Sequence, residues 1–400
     1  MVKPTLALIP AAYGTKFYSV LPSDGTGDFN FSRSSLATRI NSQGLIETIT
    51  NGDSRLSYPL VNGVQKGCPH YLLEPQRTNS LNHSEDFSNT YWLKSGGLTV
   101  ASGFLAPDGS LSAYSYSSDL DNRSIFRYGR WNTTEQTASI FAKKGTTDSF
   151  EIKNGNTGES SIFDLTNGDI TSSSASFSPT IESYSNGWFK CSVTHTATAN
   201  QSLSFTSTYA GTNSIYVWGA QLEVGSFATS IIPTSGSPVT RLAEVANGAG
   251  SSDLINSTEG VLYAEIQGLN DTDVTNRYIS LTDGTTTNAL MIQYRNNGEL
   301  RLYNGGTSTA QMIYRDASAD LTENIKLAIN YGKSTSDYKV YINGSSVTIA
   351  GAFVATSMSG LNEFKFEYVS GGLNFYGNVK SVQVFKEALT DEKLAALTKI

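Results

Sequence analysis

Cleaving a glycosidic bond on a β-sandwich requires two carboxylates on one sheet face, flanking the sugar. The nearest approaches in this chain are Glu265 in YAEIQG and Glu363 with Glu367 in EFKFEY, and neither forms an alternating acidic run. Glu363, Lys365 and Glu367 alternate with Phe364 and Phe366, the pattern of a solvated outer face backing a core face. His70, His83 and His195 are the 3 histidines, and no HxH or HxxxH spacing or neighbouring cysteine turns them into a zinc set. There is no GxSxG elbow and no phosphate-cradling GxxxxGK[ST] loop. The acidic clusters DLDN at 119–122 and NDTD at 270–273 lack the glycine and distal glutamate of a calcium loop, so they read as turns. The expectation is a chain with no catalytic residues, no metal site and no cofactor.

Binding chemistry is better represented. Sugar rings lay their C–H faces on aromatic rings while polar neighbours take the hydroxyls. Trp188 and Trp218 sit in periodic strands and read as core. Tyr91, Trp92, Arg130 and Trp131 lie at segment edges among polar residues, which leaves surface and core both open for them. Further on, Gln293, Arg295, Arg301 and Tyr303 share one face of a strand pair, opposite Leu290, Ile292, Leu300 and Leu302. These eight polar and aromatic residues are the candidate carbohydrate-binding set.

The elements that must position them are strands. Only 16% of the 400 residues are charged, and the chain is rich in Ser, Thr, Asn, Gly and Tyr rather than in helix formers. From residue 79 to 235 short strands recur at roughly ten-residue spacing, among them TASIFAKKG, GWFKCSVTH and SIYVWGAQLEVG, the signature of a jelly-roll sandwich. A second series from 252 to 400 supplies a further sandwich, with Asn343-Gly344 as a hairpin tip and LTDEKLAALTKI as one short C-terminal helix capped at Thr390. Residues 236–251 read as a linker. Residues 1–78 have an apolar start and an alternating FNFS strand but too little apolar material for a core, so they need either a partner protein or a strand exchanged with the rest of the chain. The fold class is all-β, two tandem sandwiches behind an N-terminal segment.

In IYVWGAQLEVG, strict alternation puts Tyr216, Trp218, Ala220 and Leu222 on the apolar face of the middle sandwich. The SIIP that follows should pack against that sandwich, and GSPVTR should run free as the exit. Cys68 and Cys191 have no metal spacing and read as reduced, partly buried thiols. The balance of 28 basic against 35 acidic residues, net −7, with no basic run, argues against nucleic acid. No apolar stretch has membrane length, so the chain is expected to be made in a cytosol without membrane insertion.

Several long blocks also resemble phage virion proteins of the head-fibre or tail-fibre kind. They are FSRSSLATRINSQGLIE, YLLEPQRTNSLNHSEDFSNTYW, SNGWFKCSVT and IYVWGAQLEVGSFATSIIPTSGSPVTR, and they span residues 1 to about 241. The last 150 residues resemble a concanavalin A-like, laminin-G-like jelly roll through NRYISLTDG, DYKVYING and GNVKSVQVFKEALTDEKLAAL. The resemblance implies a virion structural protein that projects from the particle. It would be attached to other virion proteins through its N-terminal segment and form a homo-oligomer, a trimer by the habit of such fibres, adhering to host-surface glycans. A glycan depolymerase and an inert decoration protein are the alternatives.

Overall fold

The computed structural model describes residues 3–269, 276–295, 299–305, 312–315, 323–348 and 355–400. The NDTD cluster at 270–273 lies outside them. Among the described residues the chain is all-β, with one α-helix, Asp391–Thr398, whose Leu394 packs under the outer face of a sheet against Val261 and Tyr263. Thr390 occupies its N-cap position with extended backbone.

The middle sandwich consists of two six-stranded antiparallel sheets. One runs in the order Leu93–Lys94, Arg123–Trp131, Gln201–Ser207, Ser149–Asn154, Ser160–Asp164 and Asp169–Ser173. The other runs Thr99–Phe104, Ala113–Ser117, Ile215–Val224, Gln136–Lys144, Trp188–His195 and Phe177–Tyr184. Alternation builds the core between them: Ala138, Ile140 and Ala142 meet Phe150, Ile152, Leu203 and Phe205, all at 0% exposure. Burying each of the large side chains stabilises by about 1.5–3 kcal/mol.

Alternation fails at one point. The strand Ile215–Val224 has a register shift against Gln136–Lys144, and Gly219 sits at its centre with φ 63°. An extra residue in one strand moves the following side chains to the opposite face. Ile215, Val217, Ala220 and Leu222 therefore all point into the sandwich core, while Trp218, and Tyr216 beside it, point outward. The expectation that Tyr216 and Trp218 share a face with Leu222 is thus corrected. Trp218 is still 1% exposed, because Ile46, Phe141, Trp188 and Ile231 form a second small core over that outer face.

Ile46 in that cover comes from residues 3–78, which find their partner surface within the chain itself. Leu6–Tyr13 pairs antiparallel with the C-terminal strand Gly377–Phe385 through Leu6↔Val384 and Leu8↔Val382. His70–Leu73 takes the other half of the same strand, Tyr71 opposite Val379. Lys16–Leu21, Phe29–Ser32 and Val245–Asn247 extend the sheet. Of the two placements open for this segment, the exchanged strand is the one observed.

The distal sandwich therefore pairs an eleven-stranded sheet, part of it N-terminal, with a five-stranded sheet. The five run Met312–Arg315, Glu299–Asn304, Ala289–Tyr294, Arg277–Thr282 and Glu363–Lys365. Their shared core mixes Phe17, Phe29, Phe31 and Tyr71 with Leu262, Ile279, Leu302, Phe364 and Val382. Phe17 stacks on Tyr71 at 4.0 Å between centroids, and Phe29 on Phe366 at 5.1 Å. The tip Asn343-Gly344 has φ of 50° and 83°, the positive pair that a type I′ turn needs.

Candidate functional site

The junction of the N-terminal segment, the middle sandwich and the 236–251 stretch is a buried network of charges. Arg33 binds Glu244 at 2.7 Å, Arg55 binds Glu74 at 2.8 Å as well as Glu244, and Arg241 binds Glu74 at 2.9 Å. The three guanidiniums are 0% exposed. Remaining lone pairs are taken by backbone: Glu74 N–H donates to Glu244 at 2.8 Å, and Ser230 N–H to Glu74 at 2.8 Å. Burial pushes the Glu74 carboxyl up, but Arg241 and Arg55, aided by Ser230, outweigh it and hold it well below the usual carboxylate range. The fully buried Asn79 amide ties in four more carbonyl and N–H groups: it donates to Ala220 O and Ile232 O and accepts from Leu222 N–H and Leu81 N–H.

GSPVTR therefore does not run free as expected. Residues 235–240 are exposed, but Val239–Arg241 pairs with Arg77–Asn79 and Arg241 is 0% exposed. Ile231 and Ile232 lie against the sandwich at 3% exposure each, as the apolar SIIP implies. Apart from Arg241 Nε, which is buried without a hydrogen-bond partner, the charged groups of this network are spent on other protein groups. It is a structural junction with no chemistry to offer a substrate.

Beside the network lies a crevice of about 750 Å³, bounded by the 38–74 segment, the outer face of the Trp218 sheet and residues 267–269 of the distal sandwich. His70, Lys190, Glu182 and Gln267 line it with several hydroxyls. Lys190 Nζ is already held by Thr229 O at 2.8 Å. Burial first, then the charges of Lys380 and Arg55, lower the His70 imidazole to about 4.

The sequence candidates of the middle sandwich separate. Trp92 is 2% exposed with its Nε1 donating to His83 O at 2.8 Å, and Trp131 is 0% exposed with its ring edge-on to His195 at 5.2 Å. Both are core residues, a correction to their place in a sugar site. Tyr91 and Arg130 stay half-buried at the surface, where the guanidinium carbons of Arg127 and Arg130 lie 4.5 and 5.6 Å from the Tyr91 ring centroid. Arg127 was not among the sequence candidates. It sits in a strand whose alternation assigns it no role, and only the fold brings it to Tyr91. Glu85, in the same block, is raised to about 7 by burial and then by Asp108.

The distal candidates do come together on the outer face of the five-stranded sheet. Leu290, Ile292, Leu300 and Leu302 enter the core, and register sets Gln293 opposite Arg301. Tyr303 Oη donates to Gln293 Oε1 at 3.1 Å, and the Gln293 amide reaches Tyr278 Oη. Arg295 and Arg301 converge on Glu299 at 2.9 and 2.7 Å. Tyr278 also meets Tyr368 at 4.9 Å and Tyr303 at 6.4 Å, so three tyrosines, two arginines and an amide form one patch. Gln293 is 2% exposed, so the half-buried Tyr303, Arg295, Arg301 and Tyr368 are what the patch presents to a ligand.

Glu363, Lys365 and Glu367 do lie on this outer face, but not in solvent as expected. Lys365 and Glu367 are 7% and 5% exposed, ion-paired at 3.2 Å, and Lys365 Nζ donates to Val369 O in the turn that folds back over them. Glu265 stands on the outer face of the opposite sheet, near Lys380 and Asn324. Glu265 thus lies on the opposite side of the sandwich from Glu363 and Glu367 and cannot flank one sugar with either, while Glu363 and Glu367 share a face with Lys365 ion-paired to both, at 3.6 and 3.2 Å. Among the described residues no three His, Cys, Asp or Glu side chains are grouped to hold a metal ion. DLDN is an exposed turn, with Asn122 at φ 57° and Asp121 accepting from Ala210 N–H. Cys191 is buried, its thiol pushed up by desolvation, whereas Cys68 is exposed rather than partly buried.

No protein-family model matches the chain, and no curated protein does. Among solved structures it is similar to the CBM40 module of the Ruminococcus gnavus IT-sialidase bound to α2,3-sialyllactose, at 19% identity over 36% of this chain and 84% of that one, with a TM-score of 0.29. It is also similar to the Trypanosoma rangeli sialidase, at 10% identity over 76% of this chain and 61% of that one, TM-score 0.31. At such scores neither likeness carries an argument about this chain.

Proposed function

We propose that this chain is a structural protein of a phage particle that projects its distal sandwich and adheres, without bond cleavage, to glycans through the outer face of the five-stranded sheet. The observation that carries the adhesion is the Tyr278, Gln293, Tyr303 and Tyr368 patch with Arg295 and Arg301 at its edge, aromatic surface beside hydrogen-bonding groups in the combination a sugar needs. The placement of Glu265 and Glu367 on opposite sides of the sandwich weighs against a depolymerase.

The virion role rests on the sequence blocks, and the fold gives it a physical rationale. Arg33, Arg55, Glu74 and Arg241 tie the two sandwiches together, as a projecting arm requires. The opening hairpin, meanwhile, leaves Ile9, Tyr13, Tyr18, Val20 and Leu21 at 40–81% exposure, apolar surface suited to docking on another virion protein. Weak single contacts multiplied in a homo-oligomer would reach useful avidity.

The test is binding of the full chain to an array of bacterial surface glycans, with Tyr303→Ala and Arg301→Gln as variants. Both should weaken binding by tenfold or more with unchanged melting, and no reducing ends should be released. Unaltered binding in both variants would remove the distal face from the proposal. Cleavage abolished by Glu265→Gln or Glu367→Gln would replace adhesion with a depolymerase.

A further inference from the structure

Six arginines, Arg33, Arg39, Arg55, Arg241, Arg295 and Arg301, each have a carboxylate within ion-pair distance. Arg127 and Arg130, on the strand Arg123–Trp131 of the middle sandwich, have none among the described residues. Arg77 and Arg123 show none among the described residues either, and it is their proximity to each other that sets Arg127 and Arg130 apart. They also crowd the same ring, at 4.5 and 5.6 Å from the Tyr91 centroid, so each raises the electrostatic cost of the other.

Neither side chain is free to swing away. Arg127 Nη1 donates to Tyr91 O at 2.9 Å, and Arg130 Nη1 to Ser80 O at 3.3 Å. Both Nε atoms and the Tyr91 hydroxyl are buried without a hydrogen-bond partner. Tyr91 is itself braced edge-on against the buried Trp92 at 5.2 Å, and the His83 ring lies 5.6 Å from it between centroids.

We propose that Arg127 and Arg130, splinted by Tyr91, form a second binding site, for an anionic group carried on a glycan. The group is a planar carboxylate or a phosphodiester, both of which a guanidinium fork engages with two hydrogen bonds. Preorganisation is what the buried stems and the shared ring supply, since little side-chain entropy remains to be lost on binding. The site rests on the reading of the chain as a glycan adhesin, but it lies in a different sandwich from the patch that carries that reading.

Calorimetry on the full chain tests it with three probes: a galacturonic acid tetramer, the neutral galactose tetramer, and a glycerol phosphate oligomer. At least one anionic probe should bind tenfold or more tighter than the neutral one, and which of the two does so distinguishes a uronate from a phosphate ligand. Arg130→Gln and the charge-preserving Arg127→Lys should each weaken that binding at least tenfold at an unchanged melting temperature. Equal binding of charged and neutral probes, no binding of any of them, or full binding by Arg130→Gln would overturn the site. If anionic binding persists in Arg130→Gln and disappears in Arg301→Gln, this site falls while adhesion through the distal face stands.

Discussion

Replacing Glu244 by Gln keeps the shape of the side chain and removes one negative charge from the junction. Arg33 then loses the carboxylate at 2.7 Å and keeps only the carbonyls of Ser35 and Thr50. Arg55 retains Glu74 at 2.8 Å but loses its paired contact with Glu244. Removing one partner of a buried pair costs about 3–5 kcal/mol, because the stranded charge has no water to turn to. Gln still offers one oxygen to the Glu74 N–H, so little further loss is expected from the backbone bond.

The four tryptophans, Trp92, Trp131, Trp188 and Trp218, all lie in the middle sandwich, so their fluorescence follows that unit alone while far-UV circular dichroism follows both. In the parent protein the two signals should change together in urea. In Glu244→Gln the unfolding free energy should fall by about 3–5 kcal/mol and the two midpoints should separate. Glu47→Gln is the control, since its partner Arg39, at 3.0 Å, is partly solvated and such a pair contributes about 1 kcal/mol or less. A cost for Glu244→Gln no larger than that of the control, with coincident midpoints, would refute the reasoning. Acid should act on the same network: the Glu74 carboxyl is held below its ordinary 4.5, so its stabilisation is present above that pH and fades as pH falls toward the folded value.

Two further outcomes follow from buried side chains. Trp218→Ala should cost about 3–5 kcal/mol, since the ring fills the small core of Ile46, Phe141 and Ile231, and glycan affinity measured below the new melting point should be unchanged; lost affinity with intact melting would make Trp218 a ligand platform instead. The His70 imidazole is lowered from 6.5 to about 4 in the fold, so the unfolded chain binds a proton first as pH drops. Stability should therefore decline between those values, by at most about 1.4 kcal/mol per pH unit from this group, and His70→Gln should flatten that part of the profile.

Alternation carried the two sandwiches because a strand with one apolar face must alternate, as SLSFTS and EFKFEY do without interruption. It misled at Gly219, where one extra residue inverts the face and nothing local distinguishes a bulge glycine from a weak strand residue. Gln293, Arg301 and Tyr303 could be grouped in advance because a single strand pair holds them. Arg127 and Tyr91 could not, since 36 residues separate them and their meeting depends on tertiary packing.

The junction was the hardest part to see, for a reason rooted in burial rather than in pattern. Arg33, Arg55, Glu74, Arg241 and Glu244 each stand in short, turn-rich stretches, and a lone charge there reads as solvated surface. Their pairing spans up to 211 positions, so no window along the chain contains a network. Arg33 of FSRSS, Glu74 of LEPQR and Arg241 of VTR are each spent on another charge of the chain rather than on a ligand. A block rich in charge need not mark a site. Where each of its ions is 0–5% exposed and matched by another ion of the same chain, what the block encodes is a fixed joint between sandwiches, and functional variation is then expected on the exposed faces that the joint holds in place.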